Sequence, residues 1–269
     1  MRLNALLKIL FWSIVMLCQI QALGQDLVAY YPFDGDAVDV SGNLNNGELL
    51  GGVGPTADRW GNPCGALSFN GDDGYVNVPN SKSLQTPANK YSVTSWFLID
   101  NANSDPYNWI TLLCKGEDQS ETWANPQYRV QVLQAHNQST VSISTDFTEY
   151  DENYRQHQIP ANTWVFFSLT YDGNMVRMYL NAREVWNFTY NQMFQANTAP
   201  LHIGRDNPGA TEYFRGKLDD LRIFSSVLSS AQIQDLFKDD KGSSYNQPMT
   251  IRCPESYYGF TDPFTCGSV

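Results

Sequence analysis

The sequence is poor in the residues on which much chemistry at neutral pH depends. It has 3 histidines, His136, His157 and His202, and their separations do not match the spacing of a metal site. No Gly-x-Ser-x-Gly elbow occurs, which removes the hydrolases built on that turn. Charge is scarce at 17% of residues, and basic charge scarcer, with 17 Lys and Arg against 28 Asp and Glu. The resulting net charge of -11 repels nucleic acid phosphates and anionic membranes. It is compatible with neutral sugars, basic proteins and divalent cations. Beyond the first two dozen residues no apolar run approaches the ~18 residues that argue a membrane-spanning helix. There is no internal repeat and no low-complexity tract, so neither a solenoid nor a disordered chain is indicated.

What is present is core-forming material. Hydrophobic residues make up 42% and aromatic residues 13%. The length of 269 residues exceeds an average domain but suits one large all-β sandwich. The start reads as a targeting segment. Arg2 and Lys8 supply a positive region, Ile9–Leu17 a short apolar run, and Ala22-Leu23-Gly24 small residues at the two positions a signal peptidase reads. Cleavage after Gly24 would leave Gln25 first. Cys18 does not make a lipobox, because bulky Leu17 precedes it. The expected organisation is therefore a signal peptide over 1–24, one domain over 25–240 and a tail over 241–269.

Removing the signal takes Cys18 with it and leaves Cys64, Cys114, Cys253 and Cys266. An even set in an exported chain suggests disulfides. Cys253 and Cys266 enclose a short tail loop, and a bridge there is expected. Cys64 and Cys114 would then pair between strands, although the sequence does not choose among connectivities and leaves open that both are buried thiols.

Apolar runs rich in Val, Ile, Tyr, Phe, Trp and Thr recur along the chain. They fall at Leu27–Phe33, Ala66–Phe69, Tyr75–Val78, Tyr91–Ile99, Trp109–Leu113, Tyr128–Leu133 and Val141–Ser144. Further runs are Trp164–Tyr171, Met175–Leu180, Glu184–Tyr190, Leu201–Ile203 and Lys217–Phe224. Turn pairs such as Asp34-Gly35, Asn70-Gly71 and Asp172-Gly173 separate them. Many strands without intervening helices predict a two-sheet antiparallel sandwich. One helix is predicted near Leu228–Phe237. Ser229 and Gln232 form a capping box, Leu228 and Ile233 a staple, and Lys238 suits the C-terminal end of the dipole.

Three blocks together resemble the laminin-G-like, concanavalin A-like lectin/glucanase domains of secreted bacterial proteins. They are YYPFDGDAVDVSGNLNNGELLGG with CGALSFNGDDGYVNVPNSKSL, then YSVTSWFLI with ITLLCKGED, then NTWVFFSLTYDGNMVRMYLNAREV with PLHIGRD and FRGKLDDLRIFSSVLSSAQIQDLF. The resemblance covers Leu27 to Phe237 and implies a jelly-roll sandwich. One departure is the hairpin after MYL, where Asn181-Ala182 stands in place of Asn-Gly. Ala tolerates positive φ poorly, so a longer turn through Arg183 is predicted.

The resemblance also implies a structural calcium ion held by Asp34, Asp39, the Gly42 and Asn43 carbonyls, and Asp219. The loop Asp34–Asn43 concentrates the oxygen ligands that a hard cation prefers. The alternative is that these residues form Asx-turns and satisfy local N–H groups. The resembled glucanases carry Glu-x-Asp-x-x-Glu on one strand. The nearest approach here, Glu149–Tyr154, lacks the last Glu, so no catalytic residue is assigned. Sugar binding needs an aromatic platform with polar groups beside it. Tyr107, Trp123, Tyr150 and Tyr154 lie on or beside long polar loops and are the predicted ligand contacts. Trp96, Trp109 and Trp164 fall on strand patterns and read as core. The sequence thus points to a secreted or extracytoplasmic, non-enzymatic module that binds a glycan or a cell-surface glycoprotein. Adhesion through protein contacts is the alternative, and a glucanase-type hydrolase the more distant one. Neither nucleic acid nor membrane insertion of the mature chain is expected.

Overall fold

A computed structural model describes residues 26–85, 90–100, 107–116, 128–135, 140–144, 158–189, 197–206 and 212–239. Within them the chain forms two antiparallel sheets and one helix. The first sheet has the order β13(Arg183–Thr189), β12(Met175–Leu180), β11(Val165–Tyr171), β6(Tyr91–Ile99), β15(Arg215–Phe224), β4(Ala66–Asn70), β3(Val53–Thr56). The second has the order β10(Gln158–Pro160), β9(Thr140–Ser144), β8(Tyr128–Ala135), β7(Tyr107–Lys115), β14(Leu201–Ile203), β5(Tyr75–Val78), β2(Glu48–Leu50). β1(Leu27–Tyr31) pairs the distal half of β15, beside the stretch that pairs β4. This is the predicted sandwich, and the predicted runs recur as strands.

The two inner faces share one core. Val93, Phe97, Phe167 and Leu169 from the first sheet pack in the same cluster as Val76, Val78, Leu201 and Ile203 from the second. Strand alternation explains both the core and what lies outside it. On β6, Tyr91, Val93, Phe97 and Ile99 face inward, while Trp96 joins a separate outer cluster with Phe166, Tyr179, Phe224, Leu228 and Ile233. That cluster lies beneath α1(Ser230–Asp239), which covers the outer face of the first sheet. β6 is therefore buried on both sides.

The helix begins as its sequence predicts. The Ser229 N–H donates to Gln232 Oε1 at 2.8 Å, and the Gln232 N–H donates to Ser229 Oγ at 3.3 Å. Leu228 and Ile233 are both buried at the staple. The β12–β13 hairpin differs from its prediction. Leu180 pairs Arg183, so the turn is the tight two-residue one, with φ of 49° at Asn181 and 61° at Ala182. Tertiary contacts hold Ala182 there. Asn181 exchanges bonds with Phe166, its N–H donating to Phe166 O at 2.8 Å and its Oδ1 accepting from Phe166 N at 3.0 Å. Ala182 itself packs on the outer cluster.

One disulfide expectation is overturned. Cys114 is a buried thiol on β7, whereas Cys64, just before β4, is disulfide-bonded. The predicted Cys64–Cys114 bridge does not form. Cys114 belongs to the outward-facing register of the second sheet, opposite His202 and Arg129, so its side chain points away from the first sheet, into which Cys64 leads. Cys253 and Cys266 lie outside the described residues, as do the signal segment and the tail. Among the described residues no helix is long and apolar enough to cross a membrane.

Candidate functional site

Of the five residues assigned to calcium, Asp34 and Asp219 lie within electrostatic reach of each other, while Asp39 and Asn43 have other partners. The Asp39 carboxylate is taken up by its own loop and by β1. It accepts from Tyr30 N and Ser41 N at Oδ1, and from Ser41 Oγ and Asn45 N at Oδ2. These are the local turn bonds that were the alternative to a metal. The Asn43 side chain turns back to donate to the Leu27 and Val28 carbonyls. Asp219 instead meets a guanidinium. Among the described residues no three His, Cys, Asp or Glu side chains group at metal-holding distances.

The partner of Asp219 is Arg59, which the sequence reading did not single out. β15 bulges between Asp219 and Arg222, where Asp220 takes a φ of 52°. A bulge lets consecutive residues, which would otherwise face opposite ways, serve one side. Arg59 Nη1 bonds Asp219 and Nη2 bonds Asp220 at 2.8 Å, with the guanidinium between the rings of Trp60 and Trp96. Arg222 and the Tyr30 hydroxyl complete the network on Asp220 Oδ1, at 3.1 and 2.6 Å. Burial raises Asp220, but Arg222 and Arg59 outweigh it and hold its pKa below the usual range. Burial and the Asp220 charge raise Asp219. Asp34 lies beside this network, its pKa pushed up to about 6 by burial and then by Asp220, Asp36 and Asp58. Two buried carboxylates facing two buried guanidinia tie β1, the loop before β4 and β15 together. With both carboxylates engaged and almost covered, they are not arranged to exchange protons with a ligand.

A second constellation lies on the outer face of the second sheet. Inward Val76, Ile203 and Leu113 leave the alternate residues facing out. One cross-strand row runs Glu48, Asn77, His202, Cys114, Arg129 over β2, β5, β14, β7 and β8. Beside that row stands Tyr75, whose ring meets the His202 ring edge-on at 5.4 Å and approaches Tyr213 at 6.4 Å. The chain leaves β14 through Gly204, at a φ of 87°. A side chain there would come within 2.6 Å of the Phe69 ring. The turn delivers Arg205 onto the aromatic pair, with its guanidinium carbon 4.5 Å from the Tyr75 ring centre and 5.5 Å from that of Tyr213. The Arg205 Nε–H donates to Asp206 O at 3.0 Å.

Asp206 is itself buried and paired with Arg129 at 2.9 Å. His202 is buried with no hydrogen-bond partner at Nδ1 among the described residues. Burial, and then the Arg205 charge, push its pKa down to about 4, so it is neutral at physiological pH. The patch therefore offers two half-buried tyrosines and one guanidinium, held on strands and a glycine turn. Of the predicted ligand contacts, Tyr107 opens β7, opposite Ala135. Trp123, Tyr150 and Tyr154 lie outside the described residues, as does the Glu149–Tyr154 stretch. The sequence offered little to single out Tyr75, Arg205 and Tyr213, because each sits at the end of a strand pattern and only the sheet brings them together.

A family model described as the concanavalin A-like lectin/glucanases superfamily matches residues 70–234. No curated protein matches the sequence. Among solved structures, one similar fold is domain 4 of AbnA, a GH43 extracellular arabinanase from Geobacillus stearothermophilus, in complex with arabinotriose. It shares 21% identity at a TM-score of 0.58, over 78% of this chain and 98% of that one. Another is the binding domain of Paraclostridial Mosquitocidal Protein 1, at 15% identity and a TM-score of 0.57, covering 81% of this chain and 53% of that one. A third is botulinum neurotoxin type C, whose cell entry depends on interaction with two ganglioside molecules. It shows 12% identity and a TM-score of 0.55, over 82% and 52% of the two chains. This chain spans about half the length of those two toxin chains. At such identities the likeness is one of fold.

Proposed function

Since the chain belongs to the concanavalin A-like lectin/glucanases superfamily, we propose that it is an exported, non-catalytic module that binds a glycan on the Tyr75–Arg205–Tyr213 face. The observation that carries this reading is the patch itself. Ring faces and edges suit the C–H surfaces of a sugar, and phenol and guanidinium groups suit its oxygens. The arabinotriose and gangliosides of the structural neighbours are consistent with a sandwich of this type holding saccharides. The engagement of Asp219 and Asp220 with arginines argues against acid/base chemistry at those carboxylates.

The test is binding of the purified protein to a glycan array, followed by titration of the best oligosaccharide. Tyr75→Ala and Tyr213→Ala are each expected to weaken binding roughly 3- to 10-fold, from the ~0.5–1.5 kcal/mol typical of aromatic contacts. Unchanged melting would show that the fold is intact. Affinity untouched by both changes would remove the face from the reading. A second reading, adhesion to a protein, is favoured by one loop on which Val38, Val40 and Leu44 are 46%, 54% and 78% exposed. Binding lost with Leu44→Asp but retained with the tyrosine variants would select it. Export is part of the proposal, with residues 1–24 removed, and the intact mass of secreted protein is expected to correspond to a chain starting at Gln25. A lipid adduct on Cys18, or a retained start, would overturn it.

A further inference from the structure

The arginines of the described residues fall into two groups. Arg59, Arg129, Arg177, Arg215 and Arg222 each pair with an aspartate. Arg205 and the exposed Arg183 pair with no carboxylate among the described residues. Arg205 differs from Arg183 in being half-buried and fixed. Its plane lies over Tyr75 and its Nε–H is held by Asp206 O. Only the terminal nitrogens remain, and they make no hydrogen bond to the described residues. Among the described residues neither Asp206, which pairs with Arg129, nor Glu212, whose Oε2 accepts from Thr111 Oγ1, forms an ion pair with Arg205. The phenol hydroxyls of Tyr75 and Tyr213 likewise have no partner among the described residues. A stacked guanidinium presenting two parallel N–H donors is the geometry that takes a carboxylate in bidentate fashion.

Resting on the glycan-binding reading above, we propose that Arg205 selects a carboxylate, so that the ligand of this face is an acidic glycan carrying a carboxyl sugar. The terminal Arg205 nitrogens take the carboxylate, while Tyr75 and Tyr213 supply hydroxyls and ring edges to the sugar around it. Neutral His202 behind them adds no charge of its own. The chain as a whole is strongly acidic, so it repels polyanions at long range. A short acidic oligosaccharide or a single carboxyl residue fits better than a dense polyanion, and added salt should weaken its binding.

The test uses matched pairs: oligouronides and sialylated oligosaccharides, each beside the same molecule after carboxyl reduction. They are titrated into the mature protein and into the Arg205→Lys and Arg205→Gln variants. The acid member is expected to bind at least roughly tenfold more tightly than its reduced partner, the scale of a charge-assisted bidentate pair. Arg205→Gln should bring the acid down to the level of the neutral molecule and leave the neutral one unchanged. Arg205→Lys, which keeps the charge and loses the fork, should fall between. Equal binding of both members by the parent protein would overturn the inference and leave the glycan reading standing. So would binding confined to neutral glycans. Binding to no glycan on the array would defeat the glycan reading itself, and this inference with it. Which pair shows the effect distinguishes a uronic acid from a sialic acid.

Discussion

Asp34 carries its carboxyl beside the Asp219–Arg59–Asp220 network, and burial with three neighbouring acids moves its pKa up to about 6. A carboxyl whose folded pKa lies above its unfolded value of 3.8 binds protons more tightly when folded. Its favourable share of stability is complete below that unfolded value and lost as pH rises through about 6. Asp34→Asn removes the ionisation. The variant is expected to melt higher than the parent at pH 7.5 and to lose that advantage by pH 4. Thermal unfolding at the two pH values checks this, and an equal shift at both would show that charge is not the cause. His202 has the opposite sign. Its pKa is depressed to about 4, so its share is present above about 6.5 and lost as pH falls through about 4. At the residue scale desolvation is the first cause of both shifts, although Asp34 as a whole residue is exposed, and the neighbouring charges both add to and oppose it.

At the scale of elements, the β12–β13 hairpin shows a local preference overruled. A two-residue turn with positive φ at both positions is the one that matches strand twist. An alanine in that conformation carries a cost of ~1 kcal/mol relative to glycine. Ala182 bears it because Asn181 is bonded to Phe166 and the Ala182 methyl lies on the outer cluster. Ala182→Gly is therefore expected to stabilise the protein by about 0.5–1 kcal/mol, less whatever that methyl contributes. A rise in melting temperature of roughly 1–4 °C, with an unchanged denaturant m-value, is the expected result. A fall would mean that the methyl contact outweighs the strain. α1 is the opposite case, an element whose capping box and staple agree with the sheet it covers.

For the molecule as a whole, the Arg59 clasp is the long-range tie. Arg59 and Asp219 lie 160 residues apart and are 5% and 4% exposed in their side chains. Removing one member of a buried pair leaves the other charged and unpaired, at a cost of about 3–5 kcal/mol. Arg59→Ala should cost that much and also lose the contacts with Trp60 and Trp96, lowering the melting temperature by roughly 6–20 °C. Arg177→Ala is the control. Its pair with Asp172 is about one-third exposed on both sides, and such surface pairs are worth ~1 kcal/mol or less. If both variants melt alike, the clasp does not hold the sandwich together. Asp39 and Asp219, expected to share an ion, each have partners of their own, while Asp34 and Asp219 lie within electrostatic reach of each other.

What the sequence determined by itself was whatever neighbours in the chain decide among themselves. Alternation over Tyr75–Val78 and the dense β-branched and aromatic run Tyr91–Ile99 marked strands with the bounds they have in the structure. Ser229 and Gln232 started the helix, and the order of the blocks identified the sandwich. β2, β3 and β10 were not legible, because each of these short runs is interrupted by a charged residue, a glycine or a proline, unlike the equally short β5 and β14. β3 and β10 each hold a proline, tolerated because both strands end their sheets, where a missing N–H breaks no ladder. The thiol of Cys114 was left open by its sequence and decided by the strand register, which turns it to the outer face of the second sheet. Arg59, Tyr75, Arg205 and Tyr213 carry no local signal for a site. Their roles exist only where a bulge, a glycine turn and the cross-strand register bring distant residues to one surface, and that is a property of the packed sheets.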